Sequence, residues 1–458
     1  MAHVVSVTSQ LSLFRGSFPD DPQKRYTIFL NAFNAGSAGH FAGNDMNKYR
    51  FSRNGSLSLS LILLLALLTA LDAMAIDMYL PGMPDIAAEF GVPAGRIQQT
   101  LSIFLAGLAI GQGIYGPLLD RYGRRVPLLA GAVIFTAGSV LGAVAPSVEW
   151  LLFARFVQAI GAAAGLVAPR AIVADICTLT ESARIFSLLM QVMMIAPILA
   201  PVLGGYLLGH GGWRFIFWML AAFGAAGFVW GCRTITDTLP AHKRARLNPG
   251  AIMRAYSLQL RNTVFMAYTV SGGFILSSLF VYISSSAFIF TRHFNVSPAQ
   301  FSYIFAANSV GLVMGGMLSN RLASKGLSSS KILTAGLIIH TLAALGLFVI
   351  ARSEIGGMVA YGGVLAIIIG SLGLVFGNVT ALTMNNAGPQ AGTASALMGM
   401  LQYFIAAVVG YIATFFVQSP ALMPAVITLC GALAVLFQRL ATRVSLKPGT
   451  LQERNKTL

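Results

Sequence analysis

Long apolar runs separated by short polar segments make up most of the chain from residue 57 onward. A helix needs about twenty mostly apolar residues to cross a bilayer, whereas a barrel strand needs about ten with alternating polarity. The runs therefore predict helices rather than barrel strands. Twelve transmembrane helices are expected, at residues 57–80, 97–118, 126–145, 150–172, 185–208, 213–232, 263–290, 298–319, 331–351, 357–381, 394–417 and 422–439.

The polar stretch at 233–262 divides these runs into two sets of six. An internal repeat supports the division, because GPLLDR at 116–121 follows the second run and GMLSNR at 316–321 follows the eighth. Transporters built from two related bundles show such repeats and bind substrate between them. We therefore predict an all-α integral membrane fold of twelve helices in two pseudo-symmetric six-helix halves, 56–232 and 263–440, joined by a central cytoplasmic loop.

Composition supports a membrane protein and indicates its orientation. Hydrophobic residues make up 56% of the chain and charged residues only 10%, whereas about a quarter of a soluble domain is charged. The net charge of +16 would suggest nucleic-acid binding in a soluble chain, but here Lys and Arg collect in alternate short loops, as in loops that stay in the cytoplasm. Both termini are therefore predicted to be cytoplasmic. The inside segments would hold Lys48, Arg50, Arg53, Arg121, Arg124, Arg125, Arg184, Arg321, Lys325, Lys331, Arg439, Arg443 and Lys447, and the outside loops only Arg96, Arg214, Arg292 and Arg352.

The two tails lie outside the apolar runs. Residues 1–55 lack the apolar core and small-residue cleavage site of a signal peptide, so we predict a disordered cytoplasmic tail. Translation is hypothesised to begin at Met46, which would leave a short basic leader before the first helix. Residues 441–458 are predicted to form the second cytoplasmic tail.

The segment 116–125, GPLLDRYGRR, joins the second and third predicted helices. It combines two glycines that permit a turn with one acid and three guanidinium groups, which can form and break ion pairs when helix bundles move. A generic positive loop explains two of the arginines but not the acid and its repeat in the second half. The predicted gating residues are Gly116, Asp120, Arg121, Gly123, Arg124 and Arg125. The segment resembles the signature loop of the major facilitator superfamily, G-x-L-x-D-R-x-G-R-[RK].

Three charged residues inside the predicted helices are candidates for proton coupling. Asp72 and Asp77 lie in the first helix and Arg155 in the fourth, although an unpaired ion in mid-bilayer costs about 2.5–3.5 kcal/mol. Asp77 and Arg155 lie at comparable depth, so we expect an electrostatic partnership in which Asp77 carries a proton. Asp72 is about 140° away around the helix and cannot face the same point. The alternative for either acid is a structural hydrogen bond or a hydrated position at the membrane edge.

The fourth and fifth predicted helices carry further motifs. In the fourth, Arg155 and Gln158 precede small residues that permit close packing, and Arg170 with Asp175 is expected to form a local ion pair. The stretch resembles the R-x-x-Q-G-x-G element of proton-coupled facilitators, with Ala159 in place of the first glycine. In the fifth, two prolines four residues apart bend the helix and two glycines permit close approach. These residues, Pro197, Pro201, Gly204 and Gly205, resemble the antiporter motif of drug exporters, which importers of the superfamily usually lack.

Segments along 57–440 together resemble the bicyclomycin and chloramphenicol resistance (Bcr/CflA) exporters. They are DMYLP at 77–81, the antiporter motif, YISSS at 282–286, VSP at 296–298 and ASALMG at 394–399 with Gln402. The resemblance implies a multi-pass drug:proton antiporter of the bacterial inner membrane that works as a monomer, with protons and a small drug-like molecule as its ligands. Candidate substrate-cavity residues are Tyr79, Gln158, Met194, Tyr282 and Tyr403, with plain packing as the alternative for each.

Two other functions stay open at this point. A proton-coupled metabolite exporter or importer would use the same fold. A membrane-embedded enzyme or receptor is the more distant alternative, because the loops are short and a receptor has no reason for the repeat. Nothing indicates a cofactor: Cys177, Cys232 and Cys430 are scattered, His210, His293 and His340 form no metal-binding pattern, and a Walker A sequence is absent. We therefore expect no enzyme activity and transport driven by the proton gradient.

Overall fold

The structure, a computed structural model, describes residues 58–177, 179–239, 244, 249–387, 391–416 and 419–445. These residues form thirteen α-helices and no strand. They are α1 Leu59–Asp77, α2 Met83–Glu89, α3 Ala94–Tyr122, α4 Arg125–Ala143, α5 Val148–Ile176, α6 Leu179–Thr234, α7 Pro249–Leu260, α8 Thr263–Phe288, α9 Pro298–Ser324, α10 Ser329–Ser353, α11 Gly357–Asn385, α12 Ala391–Ala413 and α13 Leu422–Ser445. The predicted tail 1–55, with its start at Met46, lies outside the described residues, as do residues 446–458 of the second tail.

Helix α6 is two membrane spans rather than one. Eleven segments of the described chain are long and apolar enough to cross a bilayer, and one of them, Leu188–Thr234, has 47 residues. Its helical geometry breaks at Gly212, whose φ is 69°. Gly204 lies against Met78, and Trp213 lies against Gly82. Met78 and Gly82 come just after the last residue of α1. The Trp230 indole, in contrast, donates to Ser60 at the start of α1. The chain therefore reverses at the break, and the predicted number of twelve spans is confirmed.

The spans form two halves that meet along two seams. In the first half α4 and α5 pack closely and α6 packs against α1 and α4, whereas in the second half α8 packs against α12 and α13. Helix α3 meets α12 at one seam, and α6 meets α9 at the other. The all-α fold of two six-helix halves predicted from the sequence is confirmed. We call the end of the bundle at the α2–α3 turn the Glu89 end, and the end at the α3–α4 turn the Arg124 end.

The central stretch 233–262, predicted as a loop, contains a helix that the apolar pattern did not predict. Helix α7 occupies Pro249–Leu260 and ends beside the second half. The Gln259 amide donates to the Ala387 carbonyl at 2.6 Å, and the Asn262 amide donates to the Asn386 carbonyl at 2.7 Å. Its composition is too polar for a membrane span, so a search for apolar runs passes over it. At the other end of the chain, α13 continues to Ser445, beyond the predicted boundary at residue 440.

Gly204 and Gly209 provide a matched test of the α1–α6 packing. A Cβ atom at Gly204 would come within 2.2 Å of the Met78 carbonyl oxygen, whereas a Cβ at Gly209 would meet nothing within 4 Å. Overpacking of a tight contact costs about 1–3 kcal/mol. We expect Gly204→Ala to lower the free energy of unfolding by that amount and Gly209→Ala to leave it unchanged or raise it. Thermal unfolding in detergent measures both, and equal effects of the two substitutions would contradict the packing.

Candidate functional site

Asp77 is the last residue of α1 and lies between the two halves. Its side chain is only 4% exposed and forms no ion pair with any residue that the structure describes. The chain leaves the helix here because Pro81 cannot donate a backbone hydrogen bond. The Tyr282 hydroxyl of α8 lies in the electrostatic field of the Asp77 carboxyl. Asn308 donates to that hydroxyl at 3.1 Å, and the Tyr282 ring stacks on Phe305. An acid of the first half and a phenol held in the second thus lie within electrostatic range of each other.

Asp72 has different neighbours. It is 4% exposed, and its Oδ1 atom has no hydrogen-bond partner among the described residues. The Tyr403 hydroxyl of α12 and the Arg170 guanidinium of α5 lie within electrostatic range of Asp72. Tyr403 packs at 6.3 Å from the Phe280 ring. The two carboxylates therefore have different neighbours on the second half, Tyr282 for Asp77 and Tyr403 for Asp72, although they also lie within electrostatic range of each other.

Arg155 is fully buried and holds the end of α1. Its Nη1 donates to the Ala75 carbonyl at 2.9 Å and to Gln158 at 2.7 Å. Ala75 is among the last four residues of α1, whose carbonyls lack donors within their own helix. A cation at this position also interacts favourably with the helix dipole. Arg155 thus acts as a side-chain cap for the helix end that carries Asp77.

The electrostatic partnership expected between Arg155 and Asp77 does not take the form of an ion pair among the described residues. The Arg155 guanidinium lies over the rings of Phe104 at 4.3 Å and Tyr79 at 4.7 Å, and its Nε and Nη2 atoms have no hydrogen-bond partner among the described residues. The two rings and the Ala75 carbonyl, rather than the carboxyl, are therefore the contacts of the Arg155 charge. The sequence predicted a similar depth in the membrane for Arg155 and Asp77. The bond from Arg155 to the carbonyl of Ala75, two residues before Asp77, agrees with that prediction.

Two of the predicted cavity residues belong to the surroundings of Arg155. Tyr79 is 1% exposed, and its hydroxyl is hydrogen-bonded to Thr100 at 3.0 Å. Gln158 is fully buried and donates to Ser139 at 2.9 Å. In this conformation both are bonded inside the first half. Met194 of α6 lies instead at the α6–α9 seam. Its methyl group would be 3.7 Å from a Cβ atom placed on Gly316 of α9.

The signature loop, residues 116–125, is bonded to the rest of the first half by a network of charges. Arg124 forms salt bridges of 2.8 Å with both Asp120 and Asp175. Its backbone N–H donates to Asp237 at 2.9 Å, and Asp237 accepts in turn from Arg244. Burial opposes the charge of Arg124, but its bonds to Asp175 and Asp120 outweigh that effect and raise the pKa of the guanidinium. The local pair expected between Arg170 and Asp175 is therefore wrong, because Asp175 binds Arg124.

The remaining loop residues differ in what they contact. Gly123 has a φ of 86°, which favours glycine, and a Cβ atom there would overlap the Asp237 carboxylate. Arg125 donates to the Cys232 carbonyl at 3.0 Å. Arg121 is exposed, and a Cβ atom at Gly116 would meet nothing within 4 Å. The sequence contained the loop but gave no sign that Asp237 and Arg244, far along the chain, complete its network.

Asp175 and Asp120 allow the strength of this network to be tested. The Asp175 side chain is 20% exposed and also accepts from Thr238, whereas Asp120 is 61% exposed. Exposed ion pairs contribute about 0–1 kcal/mol, and hydrogen bonds to charged groups about 1.5–3 kcal/mol. We expect Asp175→Asn to lower the free energy of unfolding more than Asp120→Asn does. Denaturant titration of the purified protein checks the order, and the reverse order would contradict it.

The antiporter motif lies where α6 meets both α1 and α9. Pro201 has no N–H, so the Pro197 carbonyl lacks its usual donor within the helix. The Ser309 hydroxyl of α9 is shared between that carbonyl, at 3.2 Å across the seam between the halves, and the Phe305 carbonyl of its own helix, at 3.0 Å. Gly204 lies against the backbone of Met78, and Gly205 lies against Ser302. The prolines and glycines thus create contacts between the halves rather than only a bend.

Contacts between the halves are also present at the Glu89 end. Gln99 donates to Thr414 at 3.1 Å, and a Cβ atom at Gly95 would lie 2.5 Å from the Thr414 carbonyl oxygen. The 3-10 turn Leu80–Gly82 touches both α8 and α9. At the Arg124 end, the bonds of the signature loop described above lead to the first half and to Asp237 of the central stretch. The two halves are therefore joined at the Glu89 end, just beyond Asp77.

A groove of about 570 Å³ lies elsewhere, on α9, α10 and α11. Met314, Leu318 and Ile339 contribute to its largely apolar lining, together with Arg321. None of Asp72, Asp77, Tyr282 and Tyr403 lines it. It is therefore not the substrate cavity predicted between the halves.

Comparison with known proteins gives consistent matches. The family model described as Major Facilitator Superfamily matches residues 65–411. An uncharacterized MFS-type transporter, YdgK of Bacillus subtilis, is 34% identical over 78% of this chain and 88% of its own length. A bicyclomycin resistance protein homolog of Haemophilus influenzae is 27% identical over 84% of this chain and 97% of its own. A chloramphenicol resistance protein of Pseudomonas aeruginosa is 31% identical over 61% of this chain and 66% of its own.

Solved structures show the same fold. A D-xylose–proton symporter superposes with a TM-score of 0.67 at 15% identity, covering 83% of this chain and 96% of that one. A bacterial homologue of the human lysosomal transporter Spinster, in an inward-facing and occupied conformation, gives 0.64 at 17% identity, with coverage of 83% and 96%. At these identities the likeness shows the fold. The relatives named for drug resistance support the resemblance drawn from the sequence motifs.

Proposed function

The chain belongs to the major facilitator superfamily, and on that premise we propose that it exports small drug-like molecules across the bacterial inner membrane in exchange for protons. It is a transporter rather than an enzyme. The observation that carries the proposal is Asp77, a buried acid that forms no ion pair among the described residues and stands just before the Leu80–Gly82 turn, which touches α8 and α9 of the opposite half. The names of the bicyclomycin and chloramphenicol resistance relatives support a drug as the cargo.

Transport proceeds by alternating access around Asp77. When the halves separate at the Glu89 end, the Gln99–Thr414 contact breaks and Asp77 meets the outer solution. Asp77 then takes up a proton, and the neutralised site releases the drug. Closure at that end and opening at the Arg124 end let the proton leave to the cytoplasm. The buried cap formed by Arg155 keeps the end of α1 in place through the cycle.

The direction of transport is outward. The antiporter motif supports export, because it resembles the motif of drug exporters that importers of the superfamily usually lack. The Arg124 end faces the cytoplasm, as do both termini. A membrane potential supplies about 2.3 kcal/mol per charge for each 100 mV, and each pH unit adds about 1.36 kcal/mol. The proton gradient therefore suffices to drive export without a bound cofactor. A single chain contains the whole site around Asp77, so we propose that it works as a monomer.

A resistance profile tests the proposed function. The chain is expressed in a bacterial host that lacks its own exporters, and the host is challenged with a panel that includes bicyclomycin and chloramphenicol. We expect a several-fold rise in the tolerated concentration of at least one drug and lower accumulation inside the cell. An uncoupler that dissipates the proton gradient should remove both effects. An unchanged profile, or accumulation of a metabolite driven inward by an acidic exterior, would indicate the metabolite transporter instead.

A further inference from the structure

The groove on α9, α10 and α11 has no role in the transport mechanism above. Its volume is about 570 Å³, and its largely apolar lining includes Met314, Leu318 and Ile339, all of which are exposed. Helix α10, which carries Ile339, packs on α9, α11 and α13 of its own half. The groove therefore opens on the outer face of the second half. In a bilayer this face meets lipid chains rather than water.

The groove exists because α9 and α11 approach each other through glycines. A Cβ atom on Gly315 would overlap the Gly370 carbonyl oxygen, so the two backbones touch where a side chain would normally separate them. Gly311 also lines the groove, and a Cβ atom there would meet only the Ala366 carbonyl oxygen, at 3.8 Å. The floor of the groove is thus backbone, and the space above it is left unfilled.

The groove is as long as one leaflet. It runs along α9 from Gly311 to Arg321, which is about 15 Å at the rise of an α-helix. The hydrocarbon core of a bilayer is about 30 Å thick, so the groove spans half of it. A transmembrane helix of another protein would cover the whole length of α9, whereas an acyl chain covers one leaflet. The length of the groove therefore fits an acyl chain, with Arg321 at the level of the headgroup.

The end of the groove at Arg321 is positive, and the second half supplies no acid to balance it. Arg321 lies in the last turn of α9, at the Arg124 end, and Lys325 and Lys331 follow it. All three are exposed, and none forms a salt bridge within the described part of the chain. The only acid between residues 263 and 445 is Glu354, which follows α10 at the opposite end. The anion that balances this charge must therefore come from outside the second half.

The internal repeat makes the difference between the halves clear. In the first half Arg124 forms salt bridges with Asp120 and Asp175. In the second half Asn320 stands where the first has Asp120. Positive residues at a cytoplasmic end are expected of any membrane protein, and by themselves they attract anionic headgroups without selecting one lipid. The groove adds a place for the chain of a single lipid directly beside the charge.

We propose that this groove binds an anionic phospholipid from the leaflet at the Arg124 end. One acyl chain lies in the groove between α9 and α11, and the phosphate binds the Arg321 guanidinium, whose N–H groups match phosphate oxygens in pairs. Lys325 adds to the attraction for the negative headgroup. The site depends neither on which drug is carried nor on the direction of transport, so it can be tested on the purified protein.

Native mass spectrometry of the full chain in detergent tests the site. Phosphatidylglycerol, which is anionic, and phosphatidylethanolamine, which has no net charge, are added at equal concentrations, and the wild type should retain phosphatidylglycerol several-fold more strongly. A basic residue beside an anionic lipid contributes about 1 kcal/mol, so Arg321→Gln should weaken phosphatidylglycerol binding about fivefold. Arg443→Gln removes an exposed charge from the last turn of α13, outside the groove, and should bind like the wild type.

Two glycine variants test the groove separately from the charge. Gly311→Leu fills the groove and leaves every charge in place, so it should lose phosphatidylglycerol. Gly363→Leu places the same side chain on an exposed part of α11, outside the groove, where a Cβ atom would meet nothing within 4 Å, and should bind like the wild type.

Four results would overturn the inference. They are equal retention of the two lipids by the wild type, equal losses in Arg321→Gln and Arg443→Gln, and undiminished binding in Gly311→Leu. The fourth is displacement of phosphatidylglycerol by glycerol phosphate, which would show that a free phosphate suffices. The same spectra give the oligomeric state, and a wild-type dimer that Gly311→Leu dissociates would assign the groove to a second copy of the chain instead.

Discussion

Replacement of Asp77 by asparagine is expected to abolish proton-driven export. The carboxyl is 4% exposed and forms no ion pair among the described residues, so its charge changes only when a proton binds or leaves. An asparagine has nearly the same shape but is permanently neutral, like the protonated acid. The site can then no longer alternate between drug and proton. Downhill movement of drug can persist, but accumulation against a gradient should fall to the level of vesicles without the protein.

Asp85 provides the matched control for this substitution. It lies on the short helix α2, only eight residues from Asp77, but its side chain is exposed. Asp85→Asn removes the same charge from the same end of the molecule without touching the buried site. Export in Asp85→Asn should equal that of the wild type. Full drug accumulation in Asp77→Asn, with an unchanged dependence on the pH gradient, would exclude Asp77 as the proton carrier.

Replacement of Arg155 by glutamine is expected to slow export by about ten- to a hundredfold. The substitution removes the cap on the Ala75 carbonyl and the cation between Phe104 and Tyr79. A hydrogen bond from a charged group contributes about 1.5–3 kcal/mol, and each 1.4 kcal/mol corresponds to about a tenfold change. The end of α1 then loses its fixed position, and Asp77 with it. Because Arg155 acts through this position, the proton number should stay unchanged while the rate falls.

Lysine at position 155 and glutamine at position 352 separate this role from simple charge loss. Lysine keeps the charge but lacks the planar group that stacks on Phe104, so Arg155→Lys should recover only part of the rate. Arg352 is an exposed arginine in the last turn of α10, away from Asp77 and Arg155 in the first half. Arg352→Gln should therefore transport at the wild-type rate. Initial rates of drug uptake into vesicles measure all three variants, and a wild-type rate for Arg155→Gln would contradict the capping role.

The fold could be predicted from the sequence because the requirement for a membrane span is local to the span itself. Each span must carry its own run of apolar residues, whatever it packs against. The rule did not predict α7, which is short and polar; Gln259 and the following Asn262 hold its end through bonds to the carbonyls just beyond α11. It correctly predicted two spans, one on either side of Gly212, where the helical geometry breaks.

The candidate site could be predicted only as a set of residues. Depth along a helix follows from the sequence, and it placed Arg155 near the end of α1. The direction of a side chain depends on how each helix is rotated against its neighbours, and no local pattern contains that information. The rings of Phe104 and Tyr79 therefore could not be foreseen as the surroundings of Arg155. For the same reason Asp175 was assigned to the nearby Arg170, although it pairs with Arg124.

Inside-out membrane vesicles provide the most direct test of proton-coupled export. Their lumen corresponds to the outer side of the cell, so an acid lumen supplies the proposed driving force. With the wild-type protein, chloramphenicol or bicyclomycin should accumulate in the lumen by at least about tenfold per pH unit, and nigericin should release it. Accumulation equal to that of vesicles without the protein, or accumulation that persists after nigericin, would contradict proton-coupled export.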